Sequence, residues 1–72
     1  MDDQRIDNIT VSLGRRIREL REEQGISLRK FSLMVGVSYP YLSNVENGKQ
    51  SVTVSVLDRI AQGLGVSIKD LF

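Results

Sequence analysis

Apolar residues recur every three or four positions almost throughout this chain, a spacing that leaves room for little except short helices. Ile6, Ile9, Leu13, Ile17 and Leu20 line one face of a first helix, its core-facing part expected from Ile9 to Gln24 with Asn8 or Thr10 near its start. Gly25 stops that helix, because glycine takes the left-handed conformation at little cost. Ser27 caps a second helix, Leu28 to Val35, that turns Leu28, Phe31 and Val35 inward, and Gly36 breaks it. Ser38 opens a third, Tyr39 to about Asn47, closed by Gly48. Pro40 is tolerated there because its missing N–H falls in the first turn, where no helical acceptor awaits it. Thr53 caps a fourth helix, Val54 to Gln62 or Leu64, and Ser67 a last short turn, Ile68 to Phe72.

One stretch competes with this reading. Ser51-Val52-Thr53-Val54-Ser55-Val56 alternates with period two and is rich in β-branched residues, so in isolation it reads as a strand. Leu57, Ile60, Ala61 and Leu64 beyond it are helical in spacing, and a lone strand has no partner here. The helix is the expectation.

With 72 residues the chain makes one small domain. Such a domain buries only about 60% of the surface its unfolded form exposes, and is commonly reinforced by disulfides, a metal or a partner subunit. There is no cysteine and no histidine, and the acids form no cluster, so neither disulfide nor metal is expected. Self-association remains. Val54, Val56, Leu57, Ile60, Leu64, Val66, Ile68, Leu71 and Phe72 are more apolar surface than one such domain hides. A homodimer is therefore expected, with Val56, Ile68, Leu71 and Phe72 at its interface; the competing reading is that they only complete the monomer core. Residues 1–8 are expected to be a flexible N-terminal arm and 9–72 the folded domain.

The same counts exclude other classes. No apolar run approaches a membrane span, and the polar start Met1-Asp2-Asp3-Gln4-Arg5 is no signal peptide. Lack of cysteine is compatible with the cytoplasm, the expected location. Catalysis is not expected: no His or Cys can serve as base or nucleophile, and no serine has a plausible base. No cofactor is implied. Net charge is only +1, which argues against holding nucleic acid by bulk charge, although the middle of the chain, with Arg29, Lys30 and Lys49 against Glu46, is mildly basic.

The segment SLRKFSLMVGVSYPYLSNVENGK, residues 27–49, resembles the helix-turn-helix of the phage repressor and Cro type, the Xre family. LGRRIRELREEQGIS before it and LDRIAQGLGVSIKDLF after it extend the resemblance over about residues 9–72. It implies an all-α, five-helix, lambda-repressor-like domain that binds double-stranded DNA and regulates transcription. Gly36 makes the sharp turn, Val37 fills the space beneath it, and Leu42 and Val45 anchor the third helix. In this geometry the second helix of the pair enters the major groove, its N-terminal half meeting base edges. The competing reading of that helix is a solvated face.

Base contacts are expected from Tyr39, Pro40, Tyr41, Ser43 and Asn44. Asn44 suits adenine N6 and N7; alternatively it bonds a phosphate or is merely solvated. Tyr39 and Tyr41 offer rings to thymine methyls or hydroxyls to phosphates, or pack at the domain edge. Pro40 presents an apolar face or simply stiffens the turn, and Ser43 is a contact or a bystander. Phosphate contacts are expected from Ser27, Leu28, Arg29, Ser38, Asn47, Lys49 and Arg21, through cations and helix ends. Leu28 stands where the family commonly has Gln, which bonds a phosphate and braces the reading helix; here only the backbone N–H carries over. Ser32 replaces the usual Ala and is expected to bond back to its own helix. By resemblance Arg21 and Glu46 form an ion pair that fixes the reading helix, the alternative being a solvated Glu46. Arg15, Arg16 and Arg18 are expected to be mostly solvated, among the acids of their own helix.

No small-molecule effector is implied for so short a chain. A rival reading is an antitoxin-like, protein-binding module with secondary DNA binding, disfavoured because no toxin-wrapping segment follows Phe72. The family's small members include repressors and controller proteins, between which the residues do not choose.

Overall fold

The computed structural model describes the backbone of residues 2–72 and the side chains from Asn8 onward. Four α-helices, α1 (Asp2–Glu23), α2 (Leu28–Val35), α3 (Tyr39–Glu46) and α4 (Val54–Leu64), precede one 3-10 turn, Ile68–Leu71. The chain is all-α, and the expected fifth helix is this single tight turn. α1 begins at Asp2, ahead of the start expected near Asn8 or Thr10, so the arm expected over residues 1–8 has a helical backbone from Asp2 on; the side chains of residues 1–7, Ile6 among them, lie outside the described residues. Among the described residues no helix is long and apolar enough to cross a membrane.

The helix starts follow local chemistry. Ser27 Oγ accepts the Lys30 N–H at 3.1 Å, Ser38 Oγ the Tyr41 N–H at 3.2 Å, and Thr53 Oγ1 the Val56 N–H at 3.2 Å. Each satisfies a donor that the first helical turn leaves without an intrahelical partner. The last of these bonds also disposes of the strand reading, because Ser51-Val52-Thr53 is an extended approach to the cap and Val54-Ser55-Val56 is the first turn of α4. Between α2 and α3 the chain reverses at Gly36, whose φ of 82° an L side chain rarely adopts.

Ile17, Phe31, Leu42 and Ile60 are fully buried and meet in one core with Val45 and Leu71. Burying each large side chain stabilises the fold by roughly 1.5–3 kcal/mol. Val37 packs against this core beneath the turn. Two expectations are corrected. Leu71 is 1% exposed and belongs to the monomer core, so it is not available to a partner. Ile9 is 52% exposed and borders a shallow groove with Leu13, Val52, Leu57 and Phe72 instead of entering the core.

Three long-range features tie the rest of the fold to α1 and the residue just after it. Gln24 Nε2 donates to the Leu64 carbonyl at 2.7 Å, and Arg16 Nε to the Asp70 carbonyl at 3.0 Å. Gly14 is buried where α1 crosses α3; a Cβ there would land on the Val45 carbonyl oxygen and 2.9 Å from that of Glu46. Only glycine lets the two backbones approach so closely.

Candidate nucleic-acid interface

α3 is held to the domain by one face and presents the other outward. Leu42, Val45 and Glu46 are its buried residues. Pro40, Asn44 and Asn47, spaced four and three apart, are all exposed and so share its outermost stripe. Tyr39 flanks them, also exposed, whereas Tyr41 and Ser43 are half-buried. Tyr41 packs against the core, and Ser43 Oγ accepts from Asn47 Nδ2 at 3.4 Å. Of the five expected base-contact residues, Tyr39, Pro40 and Asn44 are therefore the ones most open to a groove.

The inner face carries an acid that would repel DNA if left alone. Glu46 and Arg21 are each 8% exposed and form a two-pronged pair, Arg21 Nε to Glu46 Oε2 at 2.8 Å and Nη2 to Oε1 at 2.9 Å. Arg21 Nη1 donates to the Ile26 carbonyl at 2.7 Å. The guanidinium is held above its ordinary pKa, chiefly by the hydrogen bond to Glu46, while burial works in the opposite direction. Such charge-assisted bidentate bonds are among the strongest side-chain contacts. Sunk this deep with its donors so engaged, Arg21 fixes α3 and has little left for the phosphate expected of it.

Helix ends sort the remaining phosphate candidates. Ser27 and Ser38 cap α2 and α3, leaving the N–H groups of Leu28, Arg29 and Tyr39 without intrahelical acceptors. Asn47, Gly48 and Lys49 are different. Their N–H groups close the end of α3 on the carbonyls of Ser43, Val45 and Asn44, at 3.0, 3.1 and 2.8 Å. Backbone contacts from this stretch are thus spent on capping, and only the exposed Asn47 amide and Lys49 ammonium can reach a phosphate.

The departure at Leu28 has a structural consequence. Leu28 packs against the core, and the neighbouring Arg29 places its guanidinium carbon 4.8 Å from the centre of the Tyr39 ring. This cation–π contact links the starts of α2 and α3 from one position further along. Ser32 Oγ donates to the Arg29 carbonyl at 2.7 Å, the back-bond expected of it. On α1, Arg18 and Arg16 reach Glu22 and Glu19 at 3.2 and 3.7 Å on the surface. Neither the Arg29–Tyr39 stack nor the Gly14 crossing was legible in the sequence, although a lone glycine inside a helical pattern signals close packing.

A capped helix, a tight glycine turn, and a second short helix pinned inside and polar outside define a helix-turn-helix DNA-binding module. The chain belongs to the HTH_3 helix-turn-helix family, whose model matches residues 17–71. It is 31% identical over 68 residues to the control protein C.MunI of a Mycoplasma species, covering 93% of this chain and 92% of that protein. It is 34% identical over 61 residues to the transcriptional regulator DdrOP3 of Deinococcus deserti, covering 85% of this chain but 47% of that one. The crystal structure of the restriction-modification controller protein C.AhdI from Aeromonas hydrophila superposes with a TM-score of 0.87 at 29% identity, over 90% of this chain and 98% of that one. The protein is a DNA-binding regulator of transcription; its family is one of DNA-binding regulators, not of enzymes.

Asn44 and Lys49 provide a contrasting pair of variants. Asn44→Ala is expected to cost on the order of 1–3 kcal/mol at one A·T position and relax preference there. Lys49→Ala is expected to weaken all sequences about equally and lower the salt slope by about one unit. Titrations against single-base operator variants at several salt concentrations check both. Unchanged preference in Asn44→Ala, or a Lys49→Ala effect confined to one base pair, would refute the respective role.

Proposed function

We propose that this chain is a homodimeric controller-type regulator of the kind that accompanies restriction–modification genes. The observation that carries this reading is coverage: the two controller proteins match it nearly end to end, whereas DdrOP3 matches over about half its own length. α3 of each protomer reads one half-site, through Asn44, Pro40 and Tyr39, with Tyr41 and Ser43 in support. The Leu28 and Arg29 N–H groups, Ser27, Ser38, Lys49 and Asn47 set its register on the phosphates. The protomers meet through the C-terminal turn and α4. Phe72, 69% exposed, and the half-buried Val56 and Ile68 supply the contact, and the groove beside Ile9 lies next to Phe72. The protein works in the cytoplasm without cofactor, effector or catalysis, in keeping with a sequence that has no His and no Cys.

A two-fold dimer demands a near-palindromic operator with half-sites about one helical turn apart, roughly 34–36 Å. Sedimentation at micromolar concentration is expected to give a dimer of the 8.1 kDa chain, and footprinting two symmetric half-sites. A monomer throughout, or one asymmetric half-site at saturation, would overturn the dimer.

A further inference from the structure

α3 carries no Arg or Lys from Tyr39 to Glu46, so the commonest base-specific contact, a cation on guanine O6 and N7, is missing from the reading helix itself. The structure supplies a cation from outside that helix. Arg29 is exposed on the first turn of α2, yet its guanidinium lies over the ring of Tyr39, the first residue of α3. Among the described residues no carboxylate or carbonyl accepts a hydrogen bond from its side chain. The contact with the ring leaves the guanidinium N–H groups without a protein acceptor among the described residues. It also removes much of the rotamer freedom that an exposed arginine would otherwise lose on binding.

We propose that the Arg29 guanidinium, carried on the Tyr39 ring, is the guanine-reading group of this protein, and that Arg29 meets phosphate only through its backbone N–H. The inference rests on the DNA-binding function and deepens it. Tyr39 opens the half of α3 that meets base edges, so a group stacked on its ring lies in the same layer. Two groups 4.8 Å apart are separated by more than one base-pair rise, roughly 3.4 Å, and by less than two, so they can address neighbouring base pairs. The ring meets a thymine methyl, and the guanidinium fork bonds O6 and N7 of the adjacent guanine. Each half-site thus contains a guanine beside an A·T pair, and the A·T preference of Asn44 and Pro40 fills the remainder.

The test is selection of bound duplexes from a random pool, followed by titration of operators changed at single positions. Wild type is expected to select one guanine next to an A·T pair in each half-site. Arg29→Ala is expected to lose discrimination at that guanine by roughly 5- to 150-fold, the range of one bidentate pair, with other positions unchanged. Arg29→Lys, lacking the planar fork, loses most of it. Tyr39→Phe keeps the ring and retains the guanine preference. Tyr39→Leu loses it although Arg29 is intact, which a direct contact independent of the ring would not predict. The proposal is overturned if Arg29→Ala weakens every sequence equally and lowers the salt slope by about one unit, the signature of a phosphate contact. It is overturned equally if Arg29→Ala changes nothing, or if wild type selects no such guanine. A wild-type protein that enriches no sequence would remove the DNA-binding reading along with it.

Discussion

Glu46→Ala is expected to destabilise the domain by about 3–5 kcal/mol, the usual consequence of removing one partner from a buried ion pair. A chain of this length has roughly 4–11 kcal/mol of stability in total, so the variant stands at or near the edge of unfolding. The cost arises less from the lost attraction than from what remains. Arg21 keeps its charge, is 8% exposed, and loses the carboxylate that accepted from both Nε and Nη2, retaining the Ile26 carbonyl and a long, 4.0 Å ion pair to the exposed Glu22. Urea unfolding of wild type and variant measures the difference. A loss under about 1 kcal/mol, as at exposed pairs, would show that water reaches this site.

Replacing both partners separates the two contributions. Arg21→Met with Glu46→Leu removes the charges together, and swaps of this kind are often neutral or stabilising. The double variant is expected to recover most of the stability lost by Glu46→Ala. The pair acts to hold α3 against the end of α1 in one geometry, and fluorescence-monitored DNA titration of the double variant reads whether apolar packing can substitute for it.

How much of this was legible in the sequence depends on the range of the interaction. The caps Ser27, Ser38 and Thr53 were, because a cap is decided by the residues within one turn of it. The inner face of α3 was as well, since Leu42 and Val45 fix it by periodicity, but Tyr41 and Ser43, expected among its outward residues, are half-buried. The Arg21–Glu46 pair joins residues 25 positions apart and was reached only through family resemblance. Ile9 keeps the helical spacing of the core face yet stands over a groove, because the core closes beneath Leu13 and periodicity does not say where a face runs past its neighbours. Asn47 and Lys49 were expected to meet phosphates, but the N–H groups of Asn47, Gly48 and Lys49 are not free to do so. They turn back onto α3 because its terminal carbonyls need partners. Arg29 reaches Tyr39 only once α2 and α3 have crossed.

Gly14 is where that dependence on tertiary structure gives the clearest result, since local and global arguments predict opposite signs. By helix propensity alone, Gly14→Ala in the middle of α1 stabilises by about 1 kcal/mol. In the folded domain the new Cβ falls on the Val45 carbonyl oxygen, 2.9 Å from the Glu46 carbonyl oxygen and 3.1 Å from its carbon. These are backbone atoms with no rotamer to yield, so α1 and α3 must separate. Overpacking costs typically about 1–3 kcal/mol and occasionally more, and a collision with rigid backbone belongs at the upper end. Gly14→Ala is therefore expected to lose about 3 kcal/mol in urea unfolding. Its DNA affinity falls further than the unfolded fraction explains, because the helix pushed away carries Tyr39, Pro40 and Asn44. The same movement pulls Glu46 from Arg21, so combining Gly14→Ala with Glu46→Ala costs less than the sum of the two, as expected of sites in contact. A Gly14→Ala variant more stable than wild type would mean that α1 and α3 lie farther apart than this crossing requires.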